Sequence, residues 1–368
     1  MINEPYPCNA AMITLKPPVP TRDFEFETTF RPGPDATHDQ LTRLSSSRRA
    51  LAEALIPLIL NDSPSPETLQ HAIQAAESYQ NRWIPFWKTR IATHASLAPQ
   101  NRLQSVRLPL VFSWRVDVFH AGGGGGGSTE YFDPSPLAET ICATLALAIC
   151  KHRAGALTLG GPDAAAQHFA EAESLLKWTK TAVLPLFRPW SRPGKREPHF
   201  YSDVFIEAVE MAVSGHGLCK TALVQSVRGD SSVSTAVSLF RGAKRFQQAL
   251  ALLPGEQLLR HSHVRATSSA YRYLAQALAD DTPHMGVAVT CAKEAVRLSE
   301  LAGPSAAAAA TKHREFTAEL ERRNSAEAGW QPVPQLHQIS LVFAAAATDL
   351  TVQTQDDGNG IKIIVPLR

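Results

Sequence analysis

Residues 327–339 read Glu327-Ala-Gly-Trp-Gln-Pro-Val-Pro-Gln-Leu-His-Gln-Ile339, and this stretch decides the fold. It closes nearly two hundred residues of helical pattern. Pro332 and Pro334 each lack an N–H, and each ring would clash with a preceding helical turn. The segment is therefore expected to be extended. An apolar, extended piece after a long helical array is expected to lie back along it as a strap.

Working backward from the strap, the pattern is helical from Pro134 onward. The spacing predicts helices near 135–156, 163–185, 202–227, 231–253, 262–281, 285–302 and 304–325. Gly160-Gly161-Pro162, Pro189–Pro198, Gly229-Asp230, Pro254-Gly255, Asp281–Pro283 and Gly303-Pro304 punctuate them. Helix pairs joined by short turns suggest stacked tetratricopeptide-like hairpins, divergent from one another. In 270–302, Tyr271, Leu274, Ala275 and Leu278 line one helix. Gly286, Ala288, Ala292 and Ala295 give its partner a small-residue face.

Forward from the strap, DLTVQTQ-DDGNG-IKIIVP predicts a terminal hairpin with its turn at the glycines. At the other end, residues 1–36 are Pro-rich. Ala11–Leu15 suggests a short strand, and Phe24–Phe30 alternates weakly. A helix is expected from Ser46 through SSRRALAEALIPLIL, with a serine cap. After Pro64-Ser65-Pro66 a second helix follows, then a short apolar run over Arg107–Trp114. The glycines of 121–128 predict a flexible loop insertion.

The fold class expected is mainly all-α: a curved, tetratricopeptide-like helical solenoid with a small N-terminal β element and a C-terminal extended strap and hairpin. Residues 1–345 form one domain, and 346–368 form a hairpin or tail packed on it.

Composition narrows the function classes. The 368 residues are 44% apolar, and the net charge is +2 with no long basic run. Nucleic-acid binding needs a clustered positive face and is not expected. No stretch approaches 18 uninterrupted apolar residues, so no membrane span is expected. The N-terminus lacks a basic start and apolar core, so no secretory leader is expected. Cys8, Cys142, Cys150, Cys219 and Cys291 show no C-x-x-C spacing, which predicts reduced, apolar cysteines and no metal.

The residues form no recognisable catalytic constellation. GHGLCKT at 215–221 superficially resembles a phosphate loop, but Cys219 stands where glycine must precede the lysine. Ser214 lacks the first glycine of G-x-S-x-G. His261 and His263, two apart, point to opposite sides of a helix and are read as helix-start polar residues. SRPGKR at 191–196 is a short basic loop, solvated or making a weak membrane-surface contact. No catalytic residue, cofactor site or small-molecule substrate is expected.

A surface remains. Val233 and Val237 are i and i+4 at the opening of one helix, and Leu218 and Cys219 lie late in the helix before it. Across the Gly-Asp turn they form one apolar patch, or else pack as core.

These residues, taken in order, resemble the Bro-one domain family, the ALIX-type scaffold domain of endosomal sorting, over roughly residues 10–345. Phe112-Ser-Trp114, followed by Asp117, is similar to the family's Phe-x-Trp-x-Asp with one extra residue. Glu139 and ICATLALAICKHRAGA resemble its Glu-led helix, with Leu145 and Ala146 replacing Phe-Asn. AAAQHFAEAESLLKWTKTAVLP resembles the next helix. EAVEMAVSGHGLCKTALVQSV resembles the one after, with Ser214-Gly215-His216 in place of Gln-Ala-Gln. Met285-Gly286 is similar to Phe-Gly-Glu, and Gly329-Trp-Gln-Pro-Val333-Pro334 to Tyr-His-Glu-x-Val-Pro.

The resemblance implies a non-catalytic scaffold, cytoplasmic and recruited to endosomes. It implies a groove for the C-terminal amphipathic helix of an ESCRT-III subunit. The family's docking positions carry over to Cys219, Val233 and Val237, all smaller than the family's usual Phe, Ile and Leu. At about 0.8 kcal/mol per methylene, the three truncations together weaken docking by several kcal/mol. The resemblance also implies a stand-alone, single-domain member. The ending Val365-Pro-Leu-Arg368 predicts no prenylation box. The alternative reading is a helical-repeat adaptor for a different partner, in cytoskeletal or small-GTPase signalling.

Overall fold

Thr37 opens the first long helix. Its hydroxyl accepts the Gln40 N–H at 3.2 Å, and the Gln40 side chain accepts the Thr37 N–H at 2.8 Å, a reciprocal cap. The computed structural model describes residues 14–30, 37–96, 112–119, 130–133, 136–157, 162–187, 199–280, 284–303, 306–326, 331–344, 353–356 and 360–366. It divides into two compact units, Thr14–Val213 and a second containing Ser214–Arg368.

The first unit holds α1 (Phe26–Thr29), α2 (His38–Leu60), α3 (Pro66–Ser96), α4 (Pro136–Leu157), α5 (Pro162–Trp178) and α6 (Leu184–Phe187), with a π-helical turn over Thr179–Val183. Helices α2 to α5 pack each on the next. Strands β1 (Val19–Pro20), β2 (Phe112–Arg115) and β3 (Glu130–Asp133) form an antiparallel sheet in that order, with Pro20 opposite Trp114 and Trp114 opposite Tyr131.

Helix α2 begins at His38, eight residues before the expected serine start at Ser46. Leu41, Leu44, Arg48, Leu51, Leu55 and Leu58 form one buried stripe. The polar run 45–49 hid that stripe, because its core member is an arginine. Phe24–Phe30, read as weakly alternating, contains a helical turn instead. Phe26 and Phe30 stand i and i+4, and their rings stack 6.1 Å apart. They join Trp83, Phe86 and Phe112 in an aromatic core.

A buried ion pair fixes this unit. Arg48 Nε donates to Glu139 Oε1 at 2.8 Å and Nη2 to Oε2 at 3.3 Å. Tyr79 donates to the same carboxylate at 2.6 Å, and Trp114 Nε1 does so at 2.6 Å. Four elements, α2, α3, α4 and β2, thus meet at one carboxylate. Burial opposes the charge on Arg48, but the Glu139 carboxylate, with Tyr79 beside it, outweighs burial and raises the guanidinium pKa. Burial first, then Glu139, pushes the Tyr79 phenol well above its usual value. Helix α4 is buried on every side along ICATLALAIC, as an all-apolar helix must be.

Helix α7 (Asp203–Arg228) enters the second unit at Ser214. It is followed there by α8 (Ser232–Leu252), α9 (Gln257–Ala279), α10 (Met285–Leu301) and α11 (Ala307–Ala326). From α8 to α11, each packs on the next. Helix α9 starts five residues earlier than expected, so His261 and His263 lie within it. His263 Nδ1 approaches the Ala243 carbonyl at 3.0 Å. GHGLCKT lies inside α7, as its helical pattern required.

Residues 331–335 are extended, as their prolines require, and lie against α10 and α11. Asn324 pairs with the Gln331 backbone in both directions, at 3.0 and 3.2 Å. Gly286 N–H donates to Gln331 Oε1 at 3.2 Å, and Thr290 Oγ1 to the Pro334 carbonyl at 2.7 Å. The strap leads into β4 (Ile339–Ala344). The expected hairpin is present as β5 (Gln353–Asp356) antiparallel to β6 (Ile361–Pro366). Pattern reading did not foresee that β6 also pairs with β4 in parallel, giving the order β4-β6-β5. The polyglycine insertion 121–128, the basic loop 191–196, and Gly329-Trp330 lie outside the described residues.

Candidate functional site

Gly229 makes the α7–α8 turn possible. Its φ of 79° lies in the left-handed region that glycine adopts without strain. Asp230 N–H returns to the Gln225 carbonyl at 3.0 Å, and Gly229 N–H to Ser226 at 3.2 Å. Ser231 then caps α8, accepting the Ser234 N–H at 3.2 Å. This tight turn sets the two helices antiparallel.

The seam between them is closed by small residues. A methyl group on Gly242 would stand 2.6 Å from Cys219 Sγ and 2.8 Å from the Gly215 carbonyl. Nearer the turn, Ser238 Oγ donates to Gln225 Oε1 at 3.0 Å. Cys219 therefore lies in the seam, 1% exposed, level with Gly242. Val237 lies five residues nearer the turn along α8, about 7.5 Å at the helical rise. Leu218 and Val233 are half-buried, and Val237 is 4% exposed.

Val233 and Val237 share a side of α8 with a residue that sequence reading passed over. Phe240 continues them at i, i+4, i+7 and meets the Tyr271 ring edge-on at 5.4 Å. The spacing alone would have found it. Arg241, Lys244 and Gln248 follow Val237 at i+4, i+7 and i+11. Arg241 and Lys244 are exposed, so a basic rim borders the apolar stripe.

A hydroxyl–imidazole cluster in this unit works differently. Ser268 and Ser299 approach His313 Nδ1 at 3.3 and 2.8 Å, and Ser268 Oγ donates to the Ala295 carbonyl at 2.6 Å. All three side chains are buried, so the cluster pins α9, α10 and α11 together. Burial holds the His313 pKa down to about 4. Burial, then the Lys220 charge, does the same to His216 in α7, also to about 4. Among the described residues, no group of three His, Cys, Asp or Glu side chains could hold a metal ion. No described helix is long and apolar enough to cross a membrane.

Comparison with known proteins yields structures alone. No family model matches the chain, and no curated protein matches it. It superposes on a structure described as "ALIX BRO1 CHMP4C complex" with a TM-score of 0.61 at 16% identity, covering 90% of this chain and 92% of that one. A crystal structure of ALIX in complex with the SIVmac239 PYKEVTEDL late domain gives a TM-score of 0.63 at 16% identity over 89% of this chain. The chain spans about half of that ALIX structure, 47%. A structure described as the basis for endosomal targeting by the Bro1 domain gives 0.55 at 9% identity, covering 88% of this chain and 87% of that one. The mainly helical architecture, the small N-terminal sheet and these superpositions together identify the fold of this chain as that of a Bro1 domain.

Proposed function

We propose that the chain is a non-catalytic adaptor of endosomal sorting, working in the cytoplasm and recruited to endosomes. Residues 1–345 act as one Bro-one-like domain with 346–368 packed on it. Its partner is the C-terminal amphipathic helix of an ESCRT-III subunit. The observation that carries this reading is the Val233, Val237, Phe240 stripe, bordered by Arg241 and Lys244, on a fold shared with an ALIX structure described with CHMP4C. In this reading Val233, Val237 and Leu218 supply apolar contact, and Cys219 sets how closely α7 and α8 approach beneath them. Partner affinity resides in a few buried apolar anchors, and the rim charges fix register.

The test is a titration of the purified chain with C-terminal peptides of ESCRT-III subunits. Val233→Asp is expected to weaken the best peptide by roughly tenfold or more while far-UV helicity stays unchanged. Binding unaffected by Val233→Asp removes the site. Capture of other partners with no ESCRT-III peptide bound favours a general helical adaptor.

A further inference from the structure

The α8 side bearing Val237 presents an inconsistency that its helical neighbours do not resolve. Buried Thr235, Leu239, Gly242, Phe246 and Ala249 form the stripe turned into the helical stack. Contacts to α7 leave from Ser238 and Gly242, and contacts to α9 leave from Phe240 and Ala243. At about 100° per residue, Val237 points away from both helices. Arg241, Lys244 and Gln248 share its stripe at i+4, i+7 and i+11, and all three are exposed. Val237 alone on that stripe is closed off, at 4% exposure.

Strand β6 also packs on α8. Ile363, at the centre of β6, has no exposed surface, although its neighbour Lys362 is exposed. In the sheet, Ile363 pairs with Leu341 of β4 and Thr354 of β5. We propose that the C-terminal sheet, through β6, covers the turn-proximal end of the α8 stripe and acts as an autoinhibitory strap over the docking surface. A partner helix then binds only when β6 swings off α8. This regulation rests on the reading of α8 as the docking face, but the cover itself is a separate physical claim.

The experiment separates the two. Val237→Cys in the full chain places a thiol under the cover, and alkylation by a maleimide reports its exposure. Cys142, Cys150, Cys219 and Cys291 are buried, and the parent chain supplies the background rate. Two second-site variants release the strap. Ile363→Asp places a charge in the buried centre of β6. Gly360→Val forces a side chain toward the Gln338 carbonyl, which an added Cβ would approach to 2.7 Å. The second variant leaves the β6 side chains intact, so it stands if the first disturbs folding.

Labelling at position 237 is expected to be slow in the intact chain and roughly tenfold or more faster in either release variant, as for local opening. Fast labelling in the intact chain, or equal rates in all three chains, overturns the cover. The ESCRT-III peptides, titrated against the Gly360→Val chain, are expected to bind roughly tenfold or more tightly than to the parent. Faster labelling with no peptide bound keeps the cover and overturns the partner.

Discussion

Gly286 lies directly beneath the Pro332 carbonyl, so close that any side chain at position 286 would collide with that oxygen. The small residue at the start of α10 is there for the strap. The sequence suggested instead that it eased packing against α9. The contact ties the first turn of α10 to the extended segment that follows α11.

Gly286→Ala therefore tests the strap directly. In an exposed helix this change gains up to about 1 kcal/mol. Here it should cost about 1–3 kcal/mol through overpacking against backbone. Urea unfolding of the purified variant measures the sign, and a gain in stability would show that the strap is not seated on Gly286.

The buried ion pair gives a second prediction. Glu139→Ala leaves Arg48 charged and enclosed, with the Tyr79 and Trp114 donors stranded, and should cost about 3–5 kcal/mol. The double variant Arg48→Met/Glu139→Leu should lose markedly less, because no uncompensated charge remains. Equal losses in the single and double variants, by chemical denaturation, would mean that the pair is not coupled.

Acidification should destabilise the chain through His313 and His216. Both are held down to about 4 from an ordinary value of 6.5, chiefly by burial. Between those values the unfolded chain takes up protons that the folded chain does not, so stability falls as pH drops through that window. His313 alone should account for about 2 kcal/mol between pH 7 and pH 5. His313→Gln should flatten the stability profile over that range, whatever it does to stability at pH 7. An unchanged slope would assign the acid sensitivity to other groups.

Cys219→Phe, a large side chain placed in the α7–α8 seam, should destabilise the chain. Its ring has no room against Gly242 and should cost about 1–3 kcal/mol. Val233→Leu, on a half-buried position, should be tolerated. Melting temperatures of the two variants distinguish these outcomes, and a Cys219→Phe chain as stable as the parent would reopen the seam assignment.

Local chemistry made most of the helical architecture readable. Proline and glycine punctuate the chain from Pro162 to Pro304, and each break fell within a few residues of a helix end. The strap was readable for the same reason, because Pro332 and Pro334 forbid a helix. The start of α2 was missed because Arg48 occupies a core position, and only a carboxylate 91 residues away makes that tolerable. No local pattern contains that partner. The candidate surface was half readable. Spacing placed Val233 and Val237 on one side of a helix and would have added Phe240. The burial of Cys219 depended on Gly242 of a neighbouring helix, and that of Val237 on neighbours that spacing along α8 does not show.

The order β4-β6-β5 has a consequence for the newly made chain. Strands β4 and β5 are held together by the strand between them, which is synthesised after both. During translation α8 can fold against α7 and α9 long before Ile361–Pro366 exists, since segments fold in the order they emerge. On the proposal that β6 covers Val237, the nascent protein passes through an interval with that side of α8 uncovered. Ribosome-bound chains would then bind a partner helix more tightly than the finished molecule does.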